Sequence, residues 1–336
     1  MNNSIIFKEE KGVGIIILNR PKALNALDLE MAELLYDKLK DWENKKSIKR
    51  VLIKGEGKAF CAGGDVKSVF LSSGISDLKE NFFYKEYKLN YAINQFSKPY
   101  LSIWDGIVMG GGVGLSIYGN FRIATENSKF AMPESAIGFF PDVGGSFFLS
   151  RISNNIGLYL GLTGTIINYK EMITLGLATH FYPSKEINLL EKKYIDEGIL
   201  IDSKKIQKFS SEIINNKKFI KETFVGSIHL IIKKLKDSNS DFAKKTYDIL
   251  IKRCPMSLAI TAELIKRAKK LSLKECLEIE YQLSQKVVYR EDFNNGVEAV
   301  LVTKTHNPRW NPKSIYDITS SEIKELFQNH TKKLKL

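Results

Sequence analysis

The chain has 336 residues, 43% hydrophobic and 26% charged. That is enough apolar material for a substantial core and argues against wholesale disorder, while no apolar run reaches the roughly 18 residues of a spanning helix, which argues against an integral membrane protein. Lys plus Arg outnumber Asp plus Glu by 51 to 38, a net charge of +13. Such an excess suits a polyanionic partner (nucleic acid, an anionic membrane surface or a phosphate-bearing ligand), and a lysine-rich solvated surface accounts for it equally well.

The opening stretch MNNSIIFKEEKGVGIIILNRP lacks the apolar centre of a secretory signal, and Glu9 and Glu10 are wrong for an acid-poor transit peptide; a strand is expected almost at once. Residues 14–18 (GIIIL) form a β-branched run stopped by Asn19-Arg20-Pro21. Residues 29–42 follow with apolar positions at Met31, Leu34, Leu35, Leu39 and Trp42, a helical spacing, with Asp28 as its N-cap. Short strands are expected at 50–54 (RVLIK), 100–104 (YLSIW) and 120–124 (NFRIA). Strands alternating with helices give an α/β class with largely parallel pairing. From about residue 188 the chain turns lysine-rich and helical, Pro255 interrupts it, and 258–271 and 273–288 read as amphipathic helices. The expected division is an α/β core over residues 1–190, carrying the site, and a mostly helical region over 191–336 packing on it. The final Leu334-Lys335-Leu336 only loosely resembles a peroxisomal address.

Three cysteines, Cys61, Cys254 and Cys276, are odd in number and far apart, which argues against a disulfide framework and a structural zinc site and fits a reducing compartment. The histidines at 180, 229, 306 and 330 are scattered without H-E-x-x-H; each is expected at the surface or in packing, and no metal site is expected.

Glycine concentrates in three places: 58–65 (KAFCAGGD), 105–114 (DGIVMGGGVG) and 130–145 (FAMPESAIGFFPDVGG). Each follows a strand and precedes a helix-like segment, where unpaired N–H groups and the helix dipole favour negative charge and glycine allows close approach. The dinucleotide pattern G-x-G-x-x-G, the P-loop G-K-[ST] and the nucleophile elbow G-x-S-x-G are all missing their residues. Backbone donors near two carboxylates, Glu134 and Asp142, remain, a combination suited to holding an oxyanion while a carboxylate acts as base or nucleophile.

These residues resemble the crotonase (enoyl-CoA hydratase/isomerase) superfamily. The likeness runs from Asn19-Arg20-Pro21 and Asn25-Ala26-Leu27, through the three glycine clusters, to Gly176-Leu177-Ala178-Thr179-His180. The motifs F-C-A-G-G-D, M-G-G-G-V-G, A-M-P-E and F-P-D-V-G-G are similar to those of the 3-hydroxyisobutyryl-CoA hydrolase branch. So are Glu280-Tyr281, Leu283-Ser284-Gln285, Asp292-Phe293 and residues 296–301.

The resemblance implies a spiral of ββα units with a helical C-terminal region. It implies hydrolysis of 3-hydroxyisobutyryl-CoA, a step of valine breakdown, with coenzyme A as part of the substrate and no other cofactor. Amides of Gly64 and Gly111 would hold the oxyanion and Glu134 would attack the carbonyl or activate water. Asp142 would orient substrate or water or supply a proton, and Glu86 would hold the substrate hydroxyl. Lys22 and Lys67 flank the motifs as candidates for the coenzyme A phosphates. Hydratases of the superfamily carry a glutamate where this chain has Gly114, which disfavours the alternative of an enoyl-CoA hydratase or isomerase. A further alternative, a non-catalytic basic protein on the same scaffold associated with RNA, fits the charge but leaves Glu86, Glu134 and Asp142 without purpose, so no nucleic-acid or membrane partner is expected. The branch implies mitochondria, with peroxisome or cytosol as alternatives, and a homo-oligomer is left open.

Overall fold

A computed structural model describes residues 4–72, 77–198, 203–204, 209–328 and 332–336; His330 lies outside them. The chain forms two compact units. One is drawn from residues 1–65, 88–131 and 166–209, the other from 66–87, 132–165 and 210–336. Each unit draws on residues from both sides of position 190.

In the first unit, strands β1 (Ile5–Glu10), β2 (Val13–Leu18), β3 (Arg50–Gly55), β5 (Tyr100–Trp104), β7 (Phe121–Ala124) and β10 (His180–Phe181) form one sheet in that order. Only the β1–β2 pair is antiparallel. All six residues of β2 are buried, as a strand covered on both faces requires. Val13, Ile15 and Ile17 share one core with Leu52, Leu101, Ile103 and Ile123, closed by Ile187, Leu190 and Tyr194. Behind Gly14 lies the Trp42 indole, 2.6 Å from where a Cβ would stand. Trp42 belongs to the helix Leu29–Asn44, whose first turn is capped by Asp28 accepting from the Met31 N–H at 2.8 Å. Strand β7 starts one residue later than the sequence predicts, because the Asn120 side chain accepts from the Tyr100 N–H (2.9 Å).

A second sheet of the same unit holds the short strands β4 (Ala59–Cys61), β6 (Ile107–Met109), β8 (Lys129–Ala131) and β9 (Ile167–Asn168), parallel except for the last pair.

The second unit is mostly helical. Pro255 does not interrupt a helix but starts one, Pro255–Ala268, since at the first helical position the missing N–H has no partner to lose. Ser272 and Glu275 form a capping box at the start of helix Leu273–Val287. Among the described residues no helix is long and apolar enough to cross a membrane.

Candidate active site

The turn after β4 and the turn after β6 lie side by side in the first unit, because β4 and β6 pair in parallel. A Cβ placed on Gly63 would stand 3.6 Å from the Met109 carbonyl oxygen and 3.9 Å from the Gly111 nitrogen. On Gly112 it would stand 2.2 Å from the Cys61 carbonyl oxygen, so only glycine permits this approach. Gly112→Ala is therefore expected to cost about 3 kcal/mol or more, read as a lowered midpoint in denaturant unfolding; an unchanged midpoint contradicts the packing described.

The Asn19-Arg20-Pro21 and Asn25-Ala26-Leu27 motifs support the first of these turns. Leu27 donates to the Gly63 carbonyl (2.9 Å) and accepts from the Asp65 N–H (2.7 Å). The Arg20 guanidinium pairs with Asp65 at 3.0 Å. Asn25 donates to the carbonyls of Glu56 (2.9 Å) and Ala59 (2.8 Å). This pairing uses the groups on either side of Gly64 and leaves its own N–H without an acceptor among the described residues. The Gly111 N–H opens the turn Gly111–Gly114 and likewise has none, as expected for a first-turn amide. The structure thus brings the two sequence-predicted amide turns together.

The three sequence-predicted carboxylates all belong to the second unit. Glu86 comes from helix Leu78–Gln95, Glu134 opens the 3-10 turn Glu134–Ile137, and Asp142 lies just before helix Gly145–Ser150. They are 1%, 6% and 5% exposed. Two more buried groups join them, Tyr87 and Glu280, both 0% exposed. Tyr87 donates its hydroxyl to Asp142 Oδ2 at 2.8 Å. Glu280, from helix Leu273–Val287, accepts from the N–H groups of Gly144 (2.6 Å) and Ser146 (3.0 Å) and from the Ser146 hydroxyl (2.6 Å). The segment is also clamped by helix Glu291–Val297. A Cβ on Gly138 would stand 2.2 Å from the Asp292 carbonyl oxygen, and one on Gly296 would stand 2.4 Å from the carbonyl carbon of Ile137.

Burial raises the carboxyl pKa values here. Glu86 is held well above the carboxylate range by desolvation, then by the charges of Asp142 and Glu134. Glu134 is held well above it by desolvation, then by the charge of Asp142. Asp142 is pushed up to about 7 by burial, with the Tyr87 hydrogen bond acting the other way. Burial pushes Glu280 to about 8, opposed by its bonds from Ser146 and Gly144. Buried Glu86 Oε1 and Glu134 Oε2 have no partner among the described residues. Such orphaned polar atoms and mutually raised acids mark functional sites.

Sequence reading did not assign roles to Tyr87 and Glu280. The signal for Glu280 was its position: it falls in the apolar stripe Leu273, Cys276, Leu277, Leu283, Val287 of its helix, where an ionisable group needs a partner. Lys22 and Lys67 are exposed. The three cysteines are buried and outside any disulfide. His229 bonds the Ile315 carbonyl (2.8 Å) and His306 is exposed.

A family model described as enoyl-CoA hydratase/isomerase matches residues 13–327. The chain is 42% identical over 330 residues to the mitochondrial 3-hydroxyisobutyryl-CoA hydrolase of Xenopus laevis, covering 94% of this chain and 86% of that protein. It is 38% identical over 343 residues to that of Homo sapiens, covering 96% and 88%. Among solved structures it is similar to a carnitinyl-CoA dehydratase from Mycobacterium thermoresistibile (TM-score 0.94, 35% identity, 99% of each chain). It is also similar to an enoyl-CoA hydratase from Rhodobacter sphaeroides 2.4.1 (TM-score 0.92, 30% identity, 96% and 97%). The chain has the crotonase fold and belongs to the enoyl-CoA hydratase/isomerase family.

Proposed function

We propose that the chain hydrolyses 3-hydroxyisobutyryl-CoA to 3-hydroxyisobutyrate and coenzyme A, the reaction named for its relatives in Xenopus and Homo. The observation that carries this reading is Asp142, buried and hydrogen-bonded by Tyr87 in the same unit as buried Glu134 and Glu86. Hydration would use a glutamate after the glycine triplet, and that place holds Gly114.

In this reading the Gly64 and Gly111 amides donate to the thioester oxygen, each such donor lowering the barrier by about 3–4 kcal/mol. Glu134 acts in its ionised form, which a protonated Asp142 favours by removing the charge that opposes it; it attacks the acyl carbon directly or through a water whose proton it takes. The carbonyl electron pair moves to oxygen and returns as the C–S bond breaks. The departing thiolate takes a proton from Asp142, whose pKa of about 7 suits a group that gives and regains a proton near neutrality. Where an acyl-Glu134 forms, water cleaves it with Asp142 as base. Glu86 holds the 3-hydroxyl. The positive surface, Lys22 and Lys67 included, attracts the coenzyme A phosphates. Coenzyme A enters as substrate, and no further cofactor takes part. The relatives' names support a mitochondrial setting.

The test is thiol release. The purified chain is expected to liberate coenzyme A from 3-hydroxyisobutyryl-CoA and to leave the enoyl absorbance of crotonyl-CoA unchanged. Loss of that absorbance without thiol release would replace hydrolysis by hydration.

A further inference from the structure

The turn that carries Asp142 is held in a conformation its own sequence resists. Val143, fully buried, has φ 53°, and Gly144 follows at φ 77°. The left-handed region is open to glycine but strained for a β-branched residue, and such strain persists only where the surroundings over-determine it. Gly144 stands at the N-cap of helix Gly145–Ser150 and has no side chain to cap it. The cap comes from elsewhere in the unit: Glu280 takes the Gly144 N–H on Oε2 and the Ser146 N–H and hydroxyl on Oε1. All three contacts are donors, so both oxygens serve as acceptors, and these bonds favour the ionised carboxylate against the burial that opposes it. Tyr87 donates to Asp142 itself, at Oδ2.

We infer that Glu280 is a positioning residue for Asp142, holding the strained Asp142–Ser146 turn in the orientation that thioester hydrolysis uses. The inference rests on the proposed role of Asp142. Glu280 itself spends its acceptor capacity on the turn. An amide in its place would set an N–H against an N–H at one of the two oxygens, whereas aspartate keeps both carboxylate oxygens with a shorter reach.

The test is steady-state thiol release from 3-hydroxyisobutyryl-CoA by the full chain and its variants. Glu280→Gln is expected to lower kcat about 30-fold or more with KM within threefold of wild type, and Glu280→Asp to retain at least tenfold more kcat than Glu280→Gln. A packing role alone would lower the unfolding midpoint without this split. If Glu280→Gln does not fold, Ser146→Ala, which removes one donor and keeps both amides, carries the test: a threefold to tenfold lower kcat supports the inference and an unchanged kcat overturns it. An active wild type with Glu280→Gln within twofold of its kcat, or with the Gln and Asp variants equal, overturns this inference alone. A wild type that releases no thiol overturns the functional reading, and this inference with it.

Discussion

Replacing Glu134 by glutamine is expected to lower kcat for thioester hydrolysis about 10²–10⁴-fold, the range for losing a group that acts directly in proton transfer or attack. KM stays within a few-fold, because an amide of the same shape still packs beside the substrate. The same change is expected to raise the thermal midpoint at pH 8. Glu134 is buried, Oε2 has no partner among the described residues, and burial followed by the Asp142 charge raises its pKa. An acid whose folded pKa is raised adds stability below its unfolded pKa and loses it as pH climbs through the folded value. Glutamine has no such loss, so its advantage grows toward alkaline pH. A variant that keeps more than a tenth of wild-type kcat would remove Glu134 from the chemistry.

Asp142 gives the second large effect, and here the size follows from the shift. Its pKa rises from 3.8 to about 7 on folding, so the folded chain binds this proton more tightly than the unfolded one. Stability from this group is fully present below about pH 4 and disappears by about pH 7, a change of about 4 kcal/mol. Asp142→Asn does not titrate and keeps an oxygen for the Tyr87 hydroxyl. The variant is expected to match wild type near pH 4 and to exceed it by about 4 kcal/mol at pH 8, while losing hydrolysis. Chemical denaturation at the two pH values measures this. A difference that is the same at both, or larger at pH 4, would mean that Asp142 is not desolvated in the folded chain.

Residues whose roles are local were readable in advance. Asp28 caps the helix that its spacing indicated, and YLSIW is the strand Tyr100–Trp104 with no change of bounds. The glycine clusters were legible because each marks a close approach, as Gly112 does against Cys61. Strands β4, β6 and β8 have three residues each, too short for an alternating pattern to show. Pro255 carries the same backbone restriction whether it ends a helix or begins one, so its place had to be seen. Glu280 was the hardest to assign: its partners lie 134 and 136 positions away, and no local pattern encodes a bond of that span. The carboxylates Glu134 and Asp142 were legible through the family's motifs, whereas their raised pKa values depend on burial that only the folded chain supplies.

The central claim is that one acyl oxygen accepts from the amides of Gly64 and Gly111 while Glu134 and Asp142 act on the carbon it belongs to. Backbone amides cannot be deleted by substitution, so the carbonyl itself is the better reporter. Glu134→Gln, loaded with 3-hydroxyisobutyryl-CoA labelled with ¹³C at the thioester carbon, can be examined by infrared difference spectroscopy. The account predicts a carbonyl stretch at lower wavenumber than in the free thioester, with the label remaining as thioester over the measurement. A bound carbonyl with the stretch of the free compound would contradict it.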